Sequence, residues 1–144
     1  MRYPVMKILI PLPFLVLASC TGLGEEPVRT ARAETRLSRA LAGLVPGEPQ
    51  RCLSQFRRNE QEIIDRGTIL YRNGRDRVYR NDPLGGCGSL DSSRTLVISS
   101  FNGEYCRGDI IRVLNQTSGS IVGSCSFSDF VPYTRPGSRA DTRG

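Results

Sequence analysis

The chain contains no histidine, and its single lysine, Lys7, lies close to the start. Those two gaps remove whole classes of chemistry. Without imidazole there is no Ser-His-Asp or Cys-His catalysis, and no His-ligated zinc or copper site. Beyond Lys7 no side chain carries an amine, which excludes Schiff-base and Ser-Lys mechanisms. Long apolar runs are missing too. The most apolar stretch, residues 8–18, holds 11 residues and includes Pro11 and Pro13. A membrane-spanning helix needs about 20 apolar residues, and each internal proline removes a helical hydrogen bond. Close cysteine pairs are absent as well: Cys52, Cys87, Cys106 and Cys125 are separated by 35, 19 and 19 positions. Neither a Cys-x-x-Cys redox pair nor a zinc site built from paired thiolates is spelled out, so no metal and no cofactor is expected.

What is present begins with a charged start (Arg2, Lys7), the short apolar run and small residues at its end, the layout of an export signal over residues 1–19. The four residues around its end, Leu17-Ala18-Ser19-Cys20, resemble the bacterial lipobox, in which a signal peptidase cuts before a cysteine that already carries diacylglycerol. By that resemblance Cys20 is the lipidated first residue of the mature protein. Thr21 follows it rather than Asp, which favours the outer membrane over inner-membrane retention and implies a lipid-anchored, periplasm-facing protein.

With Cys20 assigned to lipid, the other four cysteines are an even number in an exported chain, and two disulfides are expected. Four cysteines allow three pairings. The favoured one joins Cys87 to Cys106 and Cys52 to Cys125, each half of the domain closing on itself. From Thr21 onward 18 arginines face 14 acidic residues. A basic surface suits anionic lipid, an acidic polymer or nucleic acid, and export sets nucleic acid aside. The expected partners are the membrane, through the anchor, and an anionic glycan or envelope protein.

Along the mature chain, residues 20–28 read as a tether and 29–48 as an amphipathic helix with a linker, ended by Pro46-Gly47. At about 100° per residue, Ala33, Leu37, Ala40, Leu41 and Leu44 share one side, and Arg29, Arg32, Arg36 and Arg39 form a stripe beside it. Two arrangements fit: the arginines on phospholipid headgroups, or the leucines docked on the domain with the arginines in water. Residues 49–133 read as a β domain. Short apolar runs at 62–65, 68–72, 77–81, 95–101, 109–115 and 121–127 are separated by Asn73-Gly74, Asp82-Pro83, Gly85-Gly86, Asn102-Gly103 and Ser118-Gly119. That punctuation predicts a mainly β fold, a small disulfide-stapled antiparallel sandwich or barrel preceded by one short helix. Within it, TILYRNGRDRVYRN reads as a hairpin with a three-residue loop, placing Leu70 opposite Val78, Ile69 opposite Tyr79 and Arg72 opposite Asp76. Residues 134–144 lack any apolar side chain larger than Ala and read as a disordered tail.

The run CRGDIIRVLNQTSGSIVGSCSFSDFVPY (106–133), with Cys52, the TILYR segment and the CGSL of 87–90, resembles small exported proteobacterial proteins grouped as a domain of unknown function. That resemblance implies a small exported β domain and assigns no activity. Among candidate acids, Glu60, Glu62 and Asp65 cluster, and Glu104 and Asp109 flank Cys106. A glycosidase-like pair needs two carboxyls about 5–10 Å apart across a cleft, whereas turn positions let Asp109 bond backbone instead. Arg107-Gly108-Asp109 reads as a tight turn, and GGCG at 85–88 as a loop around a disulfide rather than a phosphate loop. The expectation is therefore a non-enzymatic envelope module with no catalytic residue. Its candidate binding surface is Tyr71, Arg72, Arg77, Tyr79 and Arg80, on the hairpin. The rival functions are a carboxylate-based hydrolase acting on an envelope polymer and an inhibitor of an envelope enzyme.

Overall fold

The computed structural model describes residues 29–54 and 60–137. The export signal, Cys20, the tether and the tail beyond Gly137 lie outside the described residues. The first element is helix α1, Ala31–Ala40. Thr30 caps it: its hydroxyl accepts the Ala33 N–H at 3.2 Å, satisfying a donor that the helix itself leaves unpaired. Glu34 in the first turn and Arg39 in the last complement the helix dipole.

Ten strands follow: β1 (Val45–Pro46), β2 (Cys52–Ser54), β3 (Glu60–Asp65), β4 (Thr68–Asn73), β5 (Arg77–Asn81), β6 (Arg94–Ile98), β7 (Glu104–Cys106), β8 (Ile110–Asn115), β9 (Ile121–Ser126) and β10 (Phe130–Thr134). They form a five-stranded sheet in the order β1-β10-β5-β4-β3, a three-stranded sheet β6-β8-β9 and a two-stranded sheet β2-β7. Every strand pair is antiparallel. The fold is the expected disulfide-stapled β sandwich with a helix before it, and the pairing in open sheets selects the sandwich over the barrel.

The core lies between the five-stranded sheet and the two smaller ones. Ile63, Ile69, Tyr71 and Tyr79 enter it from one side, and Leu53, Ile111, Val113 and Cys125 from the other, with Phe127 and Phe130 at the junction. The opposite face of the five-stranded sheet is covered by α1. There Ala33 and Leu37 pack on Ile64, Leu70 and Val78. The helix leucines therefore dock on the domain, and this packing decides against a helix whose apolar side lies in the headgroup layer. It also explains why β4 buries Thr68, Ile69, Leu70 and Tyr71 in succession: a sheet covered on both faces loses the apolar–polar alternation of a half-buried strand.

The hairpin keeps its three-residue loop, but each residue's partner moves by two positions. Tyr71 pairs with Tyr79, Leu70 with Arg80 and Asn73 with Arg77, not Leu70 with Val78, Ile69 with Tyr79 or Arg72 with Asp76. A shift of two in the register sum preserves which residues share a face, so Leu70 and Val78 still meet under the helix. The cysteine pairing is also corrected. The disulfides are Cys52–Cys106 and Cys87–Cys125, because β2 crosses to pair with β7 and sets Cys52 directly opposite Cys106. Cys87, in the loop after β5, is thereby left to meet Cys125 of β9. The domain does not close in halves. The tail starts later than 134, since Thr134 pairs with both Val45 and Arg77.

Candidate functional site

A cleft of about 1270 Å³ opens where the start of α1 meets the β3–β4 turn and the loop after β5. Five arginines line it, Arg29, Arg32, Arg36, Arg66 and Arg80, against three aspartates, Asp65, Asp82 and Asp91. Arg32 and Arg36 of the helix, with Arg29 just before it, thus form one wall, a direct consequence of the docked leucines: once Leu37 faces the sheet, the stripe beside it faces sideways along the sheet surface.

A β-bulge builds the floor. The β3–β4 register slips between Ile63 and Asp65, so Asp65 pairs with Thr68 and turns its carboxylate toward the helix side. The Arg29 guanidinium donates to Asp65 Oδ2 at 2.7 Å and to Thr68 Oγ1 at 2.5 Å. The Thr68 hydroxyl donates to Asp82 Oδ1 at 2.7 Å. Arg80 completes the line, with its Nε 3.0 Å from Asp82 Oδ1 and its NH2 2.8 Å from Asp82 Oδ2. Thr68 is fully buried, so this network ties helix, turn and strand into one rigid base. Nearby, Glu62 is held between Arg36 at 3.5 Å and Arg72 at 3.1 Å, and Arg36 also donates to the Ile63 carbonyl at 3.0 Å.

Each cleft carboxylate is already occupied. Asp65 serves Arg29 and the Gly67 N–H, Asp82 serves Thr68 and Arg80, and Asp91 serves Ser93 and Arg94. Hydrogen bonds from Ser93 and the nearby Arg94 hold the Asp91 carboxyl below its ordinary range. Arg32 and Arg66, by contrast, have guanidiniums with no hydrogen-bond or ion-pair partner among the described residues, and both are exposed. Leu84 is exposed between the charges, and Ile64, Pro83 and Leu90 lie buried behind the lining.

The hairpin surface expected from the sequence does not exist. Tyr71 and Tyr79 are 1% and 6% exposed and point into the core, while Arg72 and Arg80 project from the other face of the same strands, where they pair with Glu62 and Asp82. The period-two alternation separates the two sets, and β4 and β5 are interior strands. Arg77 stays near Tyr79, donating to its hydroxyl at 3.4 Å. Of the five candidates only Arg80 lines the cleft.

Glu104 and Asp109 lie outside the cleft lining. Asp109 Oδ2 accepts the Cys106 N–H at 2.8 Å, and its own N–H bonds the Cys106 carbonyl at 3.0 Å. Gly108, at φ 94°, provides the left-handed turn that this local bonding needs, and Arg107 pairs with Asp129 at 2.7 Å. The tripeptide is a tight turn, as its residue types imply. Ligand atoms of Glu104, Cys52 and Cys106 come within 4.8 Å of one another, but both sulfurs are tied in the disulfide and offer no thiolate.

Asp82 and Pro83 were legible only as turn punctuation, and Arg66 and Leu84 fell outside every motif; nothing in their spacing announces that they line one cleft with α1. No family model, curated protein or solved structure matches this chain.

Proposed function

We propose that this protein is a non-enzymatic binding module of the bacterial cell envelope, held by a lipid on Cys20 to the periplasmic side of the outer membrane, and that it takes an anionic envelope glycan in the arginine-lined cleft. The observation that carries this reading is the imbalance within the cleft: five arginines line it, and Arg32 and Arg66 have no partner among the described residues. Several cations lining one cleft attract a polyanion, and the bonded floor beneath them does not need to reorganise. The same site suits a carboxylate hydrolase poorly, because its three aspartates are all engaged by neighbouring donors. The two disulfides favour an oxidising compartment, in keeping with export.

The test uses protein recovered from native membranes, whose intact mass should be that of an acylated chain starting at Cys20. Its disulfide-intact domain is then titrated with polygalacturonate at low and high salt. Binding should weaken as salt rises and fall at least about tenfold in the Arg32→Glu, Arg66→Glu double variant. Unaltered binding by that variant, or none by the parent, would remove the cleft from the argument, and an unacylated mass would remove the anchor.

A further inference from the structure

We infer that the cleft recognises a phosphomonoester carried on a larger, partly apolar ligand, with Arg32 and Arg66 as the phosphate-binding pair. The inference rests on the proposal that the cleft is an anion site and names the ligand chemistry. Three features of the cleft lead to it.

The charge arithmetic comes first. Arg29, Arg36 and Arg80 have carboxylates of their own in Asp65, Glu62 and Asp82, so a ligand meets them as neutralised pairs. What the cleft offers in excess is two guanidiniums, Arg32 from the helix and Arg66 from the β3–β4 turn. A carboxylate answers only one of these. A phosphomonoester carries about −1.5 to −2 at neutral pH and three acceptor oxygens, and planar guanidinium forks match its geometry. Asp91, at the same cleft, repels an anion, and that repulsion is overcome best where two cations act on one compact group.

Size is the second feature. At about 1270 Å³ the cleft exceeds the roughly 300–1,000 Å³ usual for sites of drug-sized ligands. A bare phosphate would leave most of it unfilled, so the phosphate is the head of something longer. The third feature is the wall. Leu84, 49% exposed, lines the same cleft with Ile64, Pro83 and Leu90 buried behind it, and it gives the body of the ligand an apolar side chain to lie against. A phosphorylated sugar and a phosphorylated lipid headgroup both have this composition: a dianionic head and a body with apolar faces.

The disulfide-intact domain is titrated calorimetrically with glucose 1-phosphate and with glucuronate, which present the same ring with a phosphomonoester or a carboxylate. Vesicles of phosphatidylcholine with and without phosphatidic acid form a second arm. Glucose 1-phosphate should bind at least about tenfold tighter than glucuronate, and Arg32→Glu with Arg66→Glu should abolish the difference. Arg39→Glu, the same substitution at one site on the same helix outside the cleft, should leave it intact and so report any general effect of such a charge reversal on folding. Phosphatidic-acid vesicles that bind in an Arg32- and Arg66-dependent way would identify the headgroup as the source; a response to the soluble sugar phosphate alone would identify a glycan. Equal affinity for the two sugars, both lost in the double variant, would overturn the phosphate assignment and keep the anion cleft. Binding of neither, with polygalacturonate also unbound, would overturn both.

Discussion

On the inward face of the five-stranded sheet, Ile69, Tyr71 and Tyr79 meet Phe127, Phe130 and the residues around the two disulfides. One position along the same strands, on the outward face, Leu70 and Val78 meet Leu37 and Ala33 of the helix, and the neighbouring places are taken by Glu62, Arg72, Asp82 and Arg80. The two faces use identical backbone and different chemistry. Inside, large aromatic rings pack edge to face or tilted, with Tyr71, Phe127 and Phe130 centroids 5.1 to 6.1 Å apart, one disulfide staples β2 to β7, and the other ties the loop after β5 to β9. Outside, a small apolar patch holds one helix, and charges fill the remainder. A face closed by cross-links and aromatics resists change, while a face closed by one short helix leaves a margin, and the cleft lies in that margin.

The sharpest way to break the comparison is to remove the inward cross-link. Cys87 is fully buried and Cys125 nearly so, whereas Cys52 and Cys106 are half-buried. The two loops span 54 and 38 residues, so the chain-entropy contribution is similar, about 4 kcal/mol each. Cys87→Ala with Cys125→Ala adds the loss of packed sulfur in the core and should therefore cost more than Cys52→Ala with Cys106→Ala. Against a total stability of about 5–15 kcal/mol for a domain, that variant should be largely unfolded at 37 °C by circular dichroism. Equal denaturant midpoints for the two pairs would show that the inward face is not special.

The outward face should yield more gently. Leu37, 4% exposed, is the main apolar contact from α1 to the sheet, and Leu37→Ala should cost about 2–3 kcal/mol. Because Arg29, Arg32 and Arg36 reach the cleft only while the helix is docked, the same change should weaken polygalacturonate binding while leaving far-ultraviolet strand signal and both disulfides intact. Loss of the whole fold at once would mean that helix and sandwich are a single cooperative unit and that the distinction between the faces is only geometric.

The same contrast explains what the sequence could and could not show. Strands at 68–72 and 77–81 and the helix stripe were readable because period and turn residues are local properties, and Asn73-Gly74 marks the hairpin turn; Pro46-Gly47 does not end the helix, which stops at Ala40, and Pro46 lies in β1. The strand containing Pro132 was not, since proline argues against an interior strand; here it sits beside the two-residue β1 and its carbonyl accepts the Gly47 N–H at 2.7 Å. The disulfide pairing and the cleft depend on which distant segments meet: Cys52 with Cys106, and Arg66 with α1. No local pattern carries that information. The tyrosines were misplaced for a related reason: in a sheet buried on both faces, Tyr71 and Arg72 look like one surface in sequence and lie on opposite sides in space.

The smallest expected effect tests how closed the inward face is. The Tyr71 ring is 1% exposed, and its hydroxyl has no hydrogen-bond partner among the described residues. Burial, with a lesser contribution from Tyr105, pushes its phenol far above the ordinary value. In the unfolded chain the same phenol ionises near pH 10. Below that pH both states hold the proton and Tyr71 adds no pH dependence. Above it the unfolded state loses the proton while the folded state keeps it, so stability falls, by up to about 1.4 kcal/mol per pH unit. Tyr71→Phe removes both the unpartnered hydroxyl and this alkaline loss. It should raise the denaturant midpoint at pH 7 by about 1 kcal/mol equivalent and flatten the decline between pH 10 and 11 seen in the parent. A lower midpoint at neutral pH would mean that the hydroxyl is bonded after all, and the inward face would then contain a polar network like the outward one.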